Sequence, residues 1–173
     1  ALAGLSLGGI LAMEILRQAP ERITRLALLD TNPRAETPEA QARRAPQIAR
    51  ALAGDLEGVM REDMKPNYLS PGPNQAAILR LCMDMAIGLG ERVFVRQSCA
   101  LRDRQDQQAV LAAFKGPALV LMGADDRLCP FDRHELMHSL MPQSRRAIVP
   151  KAAHLPPLEQ PEATARALRD WLD

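Results

Sequence analysis

The sequence has almost no net charge: 22 Lys and Arg against 21 Asp and Glu leave +1 over 173 residues. A balance this close to zero puts no strong field toward nucleic acid or an anionic membrane, so neither is an expected partner. Cysteine is scarce. Cys82, Cys99 and Cys129 are odd in number and fall at unrelated spacings, which excludes a disulfide framework and a paired-cysteine metal site. A reducing, cytoplasmic setting is the expectation that follows. No apolar run approaches the roughly 20 residues needed to span a bilayer. The first residues lack the basic start of a signal peptide, and Glu14 and Arg17 interrupt their apolar run. An initiator Met is missing and the chain opens inside a motif, so a fragment of a longer protein is expected. There is no internal repeat and no low-complexity segment. What is present is ordinary for a globular domain with its own core: 47% apolar and 25% charged residues. The local basic groups, Arg43, Arg44 and Arg50 or Arg145 and Arg146, read as solvated helix faces or strand edges.

Along the chain, Ala1 to Ala3 read as the end of a strand, Gly4 to Gly9 as a Gly-rich turn, and the stretch from Ile10 to about Ala19 as a helix stopped by Pro20. Leu26-Ala27-Leu28-Leu29 is a short continuous apolar run of the kind a strand shows when helices cover both its faces. From residue 33 to residue 113 the character is helical, with stretches near Glu39–Ala53, Leu56–Met64, Asn74–Leu89 and Glu91–Arg102. Pro71, Gly72 and Pro73 make the segment around Asn67 to Asn74 the expected mobile connection. Strands then resume at Ala118–Met122 and Arg146–Val149, with helices at Asp132–Leu140 and Glu162–Leu172. This alternation predicts an α/β domain over residues 1–173, with a parallel sheet flanked by helices and a helical insertion at 33–113.

The turn itself carries chemistry. Gly4-Leu5-Ser6-Leu7-Gly8 spells G-x-S-x-G, and Gly9 extends it. A nucleophile on a tight strand-to-helix turn needs strained backbone angles and small neighbours, a role expected of Gly4 and Gly8. The following helix aims its N-terminal dipole at Ser6, and the Leu7 amide is a candidate oxyanion donor. A phosphate loop would need a Lys near the turn, a dinucleotide loop has a different Gly spacing, and a purely structural turn stays open.

An activated Ser needs a His, and the His needs a carboxylate, in the chain order Ser, acid, His for such a turn. Asp126, in the loop after the strand at 118–122, is the leading acid; Asp125 beside it and Asp30 at an earlier strand end are its competitors. His154 lies in the loop after the next strand and is the candidate base. His134-Glu135-Leu136-Met137-His138 spells H-E-x-x-H, but no third ligand follows, and a charged surface helix explains it as well.

Taken together these residues resemble the α/β-hydrolase superfamily, in particular its small esterases, lactonases and C–C hydrolases with a helical cap. Gly4 to Gly9 resemble the nucleophile elbow. Gly123, Asp126 and Pro130 resemble the acid loop, and His154, Glu159 and Pro161 the histidine loop. The resemblance covers essentially the whole chain. It implies the C-terminal part of that fold, with roughly 70–100 residues of βα units, and a second oxyanion donor, lying upstream of the elbow. It also implies Ser6, Asp126 and His154 as a catalytic triad acting on a small ester, thioester or lactone without a metal or organic cofactor. An acyltransferase, a C–C hydrolase and a non-catalytic receptor on the same fold are the alternatives. Met60, Met64, Tyr68, Met83, Met85 and Phe94 are candidates for an apolar substrate lining, or else for cap core.

Overall fold

In the computed structural model, which describes all 173 residues, the buried runs read above form a single all-parallel sheet. The chain order is β1 (Leu2–Leu5), α1 (Leu7–Gln18), β2 (Leu26–Leu29), α2 (Pro38–Leu52), a one-turn α3 (Leu56–Gly58), α4 (Gln75–Leu89) and α5 (Glu91–Arg102). It continues with α6 (Gln108–Ala113), β3 (Ala118–Gly123), α7 (Phe131–Leu140), β4 (Arg145–Val149), a short α8 (Pro156–Glu159) and α9 (Pro161–Leu172). The strands lie side by side in the order β1-β2-β3-β4. Leu28 sits between Gly4 and Val120, which sets the register.

Every residue of β2 and β3 is buried. Successive strand side chains point to opposite faces, and each face here has its own cover. Leu26, Leu28, Ala118 and Val120 pack with Ala12, Met13 and Leu16 of α1, Leu111 of α6 and Met137 of α7. Ala27, Leu29, Leu119 and Leu121 pack on the other side with Val149 and with Trp171 of α9. A continuous apolar spelling is what two covered faces require. Each fully buried Leu stabilises the fold by about 1.5–3 kcal/mol relative to exposure. β4 is an edge strand with only Val149 buried, and it carries Arg145 and Arg146. Arg145 donates to the Asp170 carbonyl, while Arg146 pairs with Glu135 and lies over the Phe131 ring.

The chain divides into two compact units. The sheet unit comprises residues 1–34, 68–72 and 106–173, and the helical unit residues 35–67 and 73–105. The helical stretch read as 33–113 is therefore narrower at its C-terminal end and interrupted in its middle. Residues 106–113 belong with the sheet because Leu111 is completely buried in the sheet's core. Within the helical unit, Thr37 caps α2 by accepting the Ala40 amide, and α2 packs on α5. Ala51, Leu56, Val59, Met60 and Ile78 are its buried apolar side chains. The helix expected at 56–64 is not continuous. α3 ends at Gly58, a π-helical turn covers Val59–Met64, and a 3-10 turn covers Lys65–Asn67. Asp55 accepts the Gly58 amide, and a side chain at Gly58 would overlap the Asp55 carboxylate. Glu36 is held by Arg44 at 2.5 Å and Arg104 at 2.8 Å. No helix of the protein is long and apolar enough to cross a membrane.

Candidate active site

Ser6 occupies the single residue between β1 and α1, with φ 51° and ψ −115°. A non-glycine residue there costs of order 1–3 kcal/mol, so its surroundings must hold it. They do so on both sides. The Ser6 amide donates to Leu29 O at 2.9 Å, continuing the strand ladder. The Ser6 carbonyl accepts from the amides of Gly9 (3.0 Å) and Ile10 (3.1 Å), which starts the helix, and from the Thr31 hydroxyl at 2.8 Å. α1 therefore begins at Leu7, three residues earlier than the apolar pattern suggested. Leu7 is its first residue, and its amide is among those a helix leaves without an intrahelical acceptor.

The small neighbours are partly other than expected. A side chain at Gly4 would overlap the Gly8 carbonyl oxygen. At Gly9 a Cβ would stand 2.7 Å from the Thr31 side chain. Gly8, expected to be the second tight position, has open space where its Cβ would be. The close approach is thus made by Gly4 and Gly9.

The structure brings Ser6, His154 and Asp126 together from three loops at one edge of the sheet. Ser6 Oγ is 2.8 Å from His154 Nε2, and His154 Nδ1 is 3.0 Å from Asp126 Oδ2. Asp126 Oδ1 accepts the amides of Leu128 (2.8 Å) and Cys129 (3.1 Å). The Asp126 side chain has no solvent exposure. Burial pushes its carboxyl up, but the hydrogen bond and charge of His154, with the Cys129 amide, outweigh this and hold it below the ordinary aspartate value. With Asp126 ionised and able only to accept, Nδ1 carries the imidazole proton and Nε2 faces Ser6 as the acceptor. The arrangement can therefore move the Ser6 proton onto His154 and stabilise the imidazolium that results.

Asp125 and Asp30 do not reach His154. Asp125 is exposed and its Oδ2 accepts the Ser70 hydroxyl at 2.7 Å. Asp30 is fully buried at the end of β2, where Oδ1 accepts the Gly123 amide at 2.8 Å.

Glu159 is the residue whose part the sequence did not disclose. Its Oε1 accepts the amides of Ala153 (2.9 Å) and Leu155 (3.1 Å), and its Oε2 accepts the Ser70 amide (2.8 Å). The His154 amide donates to the Tyr68 carbonyl at 2.9 Å. The segment read as the mobile connection is thus tied at Tyr68 and Ser70 to the loops that carry His154 and Asp125. Its Pro and Gly content signals a turn, and the bonds that fasten it come from residues more than fifty positions away. The spacing of Glu159, five residues after His154, was the one available signal.

The H-E-x-x-H stretch on α7 does not converge on a common point. His134 is fully buried with Nδ1 against the Pro130 carbonyl at 3.3 Å, and burial lowers its pKa. His138 Nδ1 meets Ser144 Oγ at 2.8 Å, and Glu135 pairs with Arg146. Ligand-type atoms of Asp126, Cys129 and His154 do lie within 4.8 Å of one another. Both His154 nitrogens and both Asp126 oxygens are already engaged in the hydrogen bonds above, so this is not an open donor set. Of the candidate lining residues, Tyr68 has its ring 6.1 Å from that of His154. Met60 is buried in the core of the helical unit, Met64, Met83 and Phe94 are half-buried, and Met85 is exposed.

A family model described as the alpha/beta hydrolase family matches residues 1–167. The chain is 26% identical to a pimeloyl-(acyl-carrier protein) methyl ester esterase of Neisseria meningitidis serogroup B, covering 99% of this chain and 68% of that protein. It is 29% identical to a protein of the same name from Aromatoleum aromaticum, covering 98% of this chain and 72% of that one. Among solved structures, a thermophilic esterase from Thermogutta terrifontis superposes with a TM-score of 0.91 at 31% identity, over 98% of this chain. The chain spans 63% of the length of that esterase. An enol-lactonase from Burkholderia xenovorans, at 21% identity and a TM-score of 0.84, shares the fold.

Proposed function

Because the chain belongs to the alpha/beta hydrolase family, we propose that it serves as the catalytic part of a serine hydrolase that cleaves a small carboxylic ester through an acyl-enzyme on Ser6. The observation that carries this reading is the unbroken hydrogen-bonded chain from Ser6 Oγ through His154 to Asp126 Oδ2. His154 Nε2 takes the Ser6 proton as Oγ bonds to the ester carbonyl carbon. The Leu7 amide donates to the oxyanion, and Asp126 stabilises the imidazolium. When the tetrahedral intermediate collapses, the alkoxide leaves with the proton from His154. A water molecule then gives its proton to His154 and its oxygen to the acyl carbon, releasing the acid and restoring Ser6. These steps call for no metal or organic cofactor.

Two further facts support an ester over the other acyl substrates. The curated relatives are named methyl ester esterases, and the solved structure at 31% identity is named an esterase. Thioesters and lactones are open to the same chemistry. The test is p-nitrophenyl ester turnover by the full protein and its Ser6→Ala variant. A fall on the order of 10³-fold or more is expected. Equal rates would overturn the assignment.

A further inference from the structure

Asp30 is a buried carboxylate without a buried cation to match it. It lies at the end of β2 with φ 42° and no solvent exposure. Oδ1 is occupied by the Gly123 amide, but Oδ2 has no donor. The side chains of Asp30 and Asp126 lie within interaction range of each other, and Oδ2 is the Asp30 oxygen that no donor occupies. Two carboxylates in mutual contact out of water cannot both be ionised, so one of them carries a proton. The distribution of donors decides which. Asp126 accepts from Leu128, Cys129 and His154, three donors that favour its charged form. Asp30 accepts from one amide only. The proton therefore belongs on Asp30 Oδ2, where it turns two opposed acceptors into a donor and an acceptor.

We infer that Asp30 is a positioning residue for the triad: a neutral carboxylic acid whose Oδ2–H donates to the Asp126 carboxylate and holds it against His154. Burial drives the Asp30 carboxyl up, the Gly123 amide opposes this in part, and the Asp126 carboxylate raises it again, to about 9. The other charged group acting on it is Glu159 of the α8 turn, whose carboxylate pushes in the same direction. The structural link is direct as well. Gly123 is the last residue of β3, and its carbonyl accepts the Asp126 amide at 3.2 Å, so Asp30 is bonded to the backbone that launches the acid loop.

This inference rests on the reading of Ser6, His154 and Asp126 as a triad, and its experiment separates the two. Asn and Ala replacements of Asp30 are compared in the full protein by the pH dependence of kcat/KM. Asp30→Asn keeps an acceptor for Gly123 and an N–H for Asp126, and Asn tolerates positive φ. Its acid limb should match the wild type, with kcat/KM within about threefold. Asp30→Ala removes the donor, leaves Asp126 a stronger partner for the imidazolium, and should raise the acid limb by roughly half to one pH unit. An ionised Asp30 requires the opposite: both variants would remove a negative charge and move the limb to lower pH. That result overturns the inference. A second readout needs no turnover and works even where Asp30→Ala fails to fold. The infrared spectrum at pH 7 should contain the C=O stretch of a protonated carboxylic acid, and Asp30→Asn should lose it. Absence of that band in the wild type overturns the inference. Unchanged turnover in Ser6→Ala, with the band present, sinks the triad reading and leaves Asp30 protonated.

Discussion

Glu159 holds His154 from both sides: one carboxylate oxygen accepts the amides of Ala153 and Leu155, the residues immediately before and after the imidazole. An anion that receives three backbone N–H groups fixes a loop more firmly than any neutral acceptor in its place. The same carboxylate reaches Ser70, so the His154 loop and the 68–72 segment share one anchor.

Glu159→Gln keeps the size but halves the acceptors and removes the charge. Loss of about 1–3 kcal/mol of stability is expected, because amides are left short of a partner. Misplacement of His154 should also lower kcat more than it raises KM. Thermal unfolding and steady-state ester kinetics on the same preparation measure both. An unchanged kcat would show that the His154 loop holds itself.

Asp126 and Asp125 are neighbours with different surroundings, and their Asn variants should differ accordingly. Asp126→Asn presents an N–H or an uncharged oxygen to His154 and loses the imidazolium's counter-charge. A fall in kcat on the order of 10³–10⁴ is expected. Asp125→Asn still accepts from Ser70 at an exposed position and should lie within about threefold of the wild type. Equal losses in the two would mean that the acid is misassigned.

Glycine substitutions around Ser6 should rank by what their Cβ meets. Gly4→Ala drives a methyl into the Gly8 backbone, which cannot swing aside. Destabilisation of about 1–3 kcal/mol or more, with loss of Ser6 reactivity, is expected. Gly8→Ala enters open space in the first turn of α1 and should be neutral or stabilising by up to about 1 kcal/mol. The fluorophosphonate labelling rate and the melting temperature of each variant check the order.

In the helical unit, Glu36 titrates with consequences for stability. Burial pushes its carboxyl up, but Arg44 and Arg104 more than offset that and hold it below the ordinary glutamate value. A folded value below the unfolded one means stability that is present at neutral pH and disappears as pH falls through the folded value. Glu36→Gln should therefore melt below the wild type at pH 7, and the two curves should converge once the pH has fallen through the lowered folded value of Glu36. A difference that persists at low pH would point to packing instead.

Much of the fold is legible in the sequence because it rests on local and periodic features. Leu26-Ala27-Leu28-Leu29 spells a doubly covered strand, Pro20 stops a helix, and Pro161 starts one. The extent of the helical unit was less legible. The spelling of α6 is helical like its neighbours, and only the burial of Leu111 in the sheet core assigns it elsewhere.

By itself the sequence determined the chemistry on offer: a Gly-flanked Ser6 on a strand-to-helix turn, acids near the ends of two buried strands, and a His in a later loop. Each depends on a few adjacent residues. Tertiary structure alone decided which groups meet. His154 and Ser6 are 148 positions apart and Asp30 and Gly123 are 93 apart, and those pairings follow from strand register. Register also put Asp126 against His154, turned Asp125 outward, and left Asp30 sealed beside the acid with one oxygen lacking a donor. A charge's state and a loop's rigidity depend on which donors surround it, and the sheet supplies those donors from distant parts of the chain.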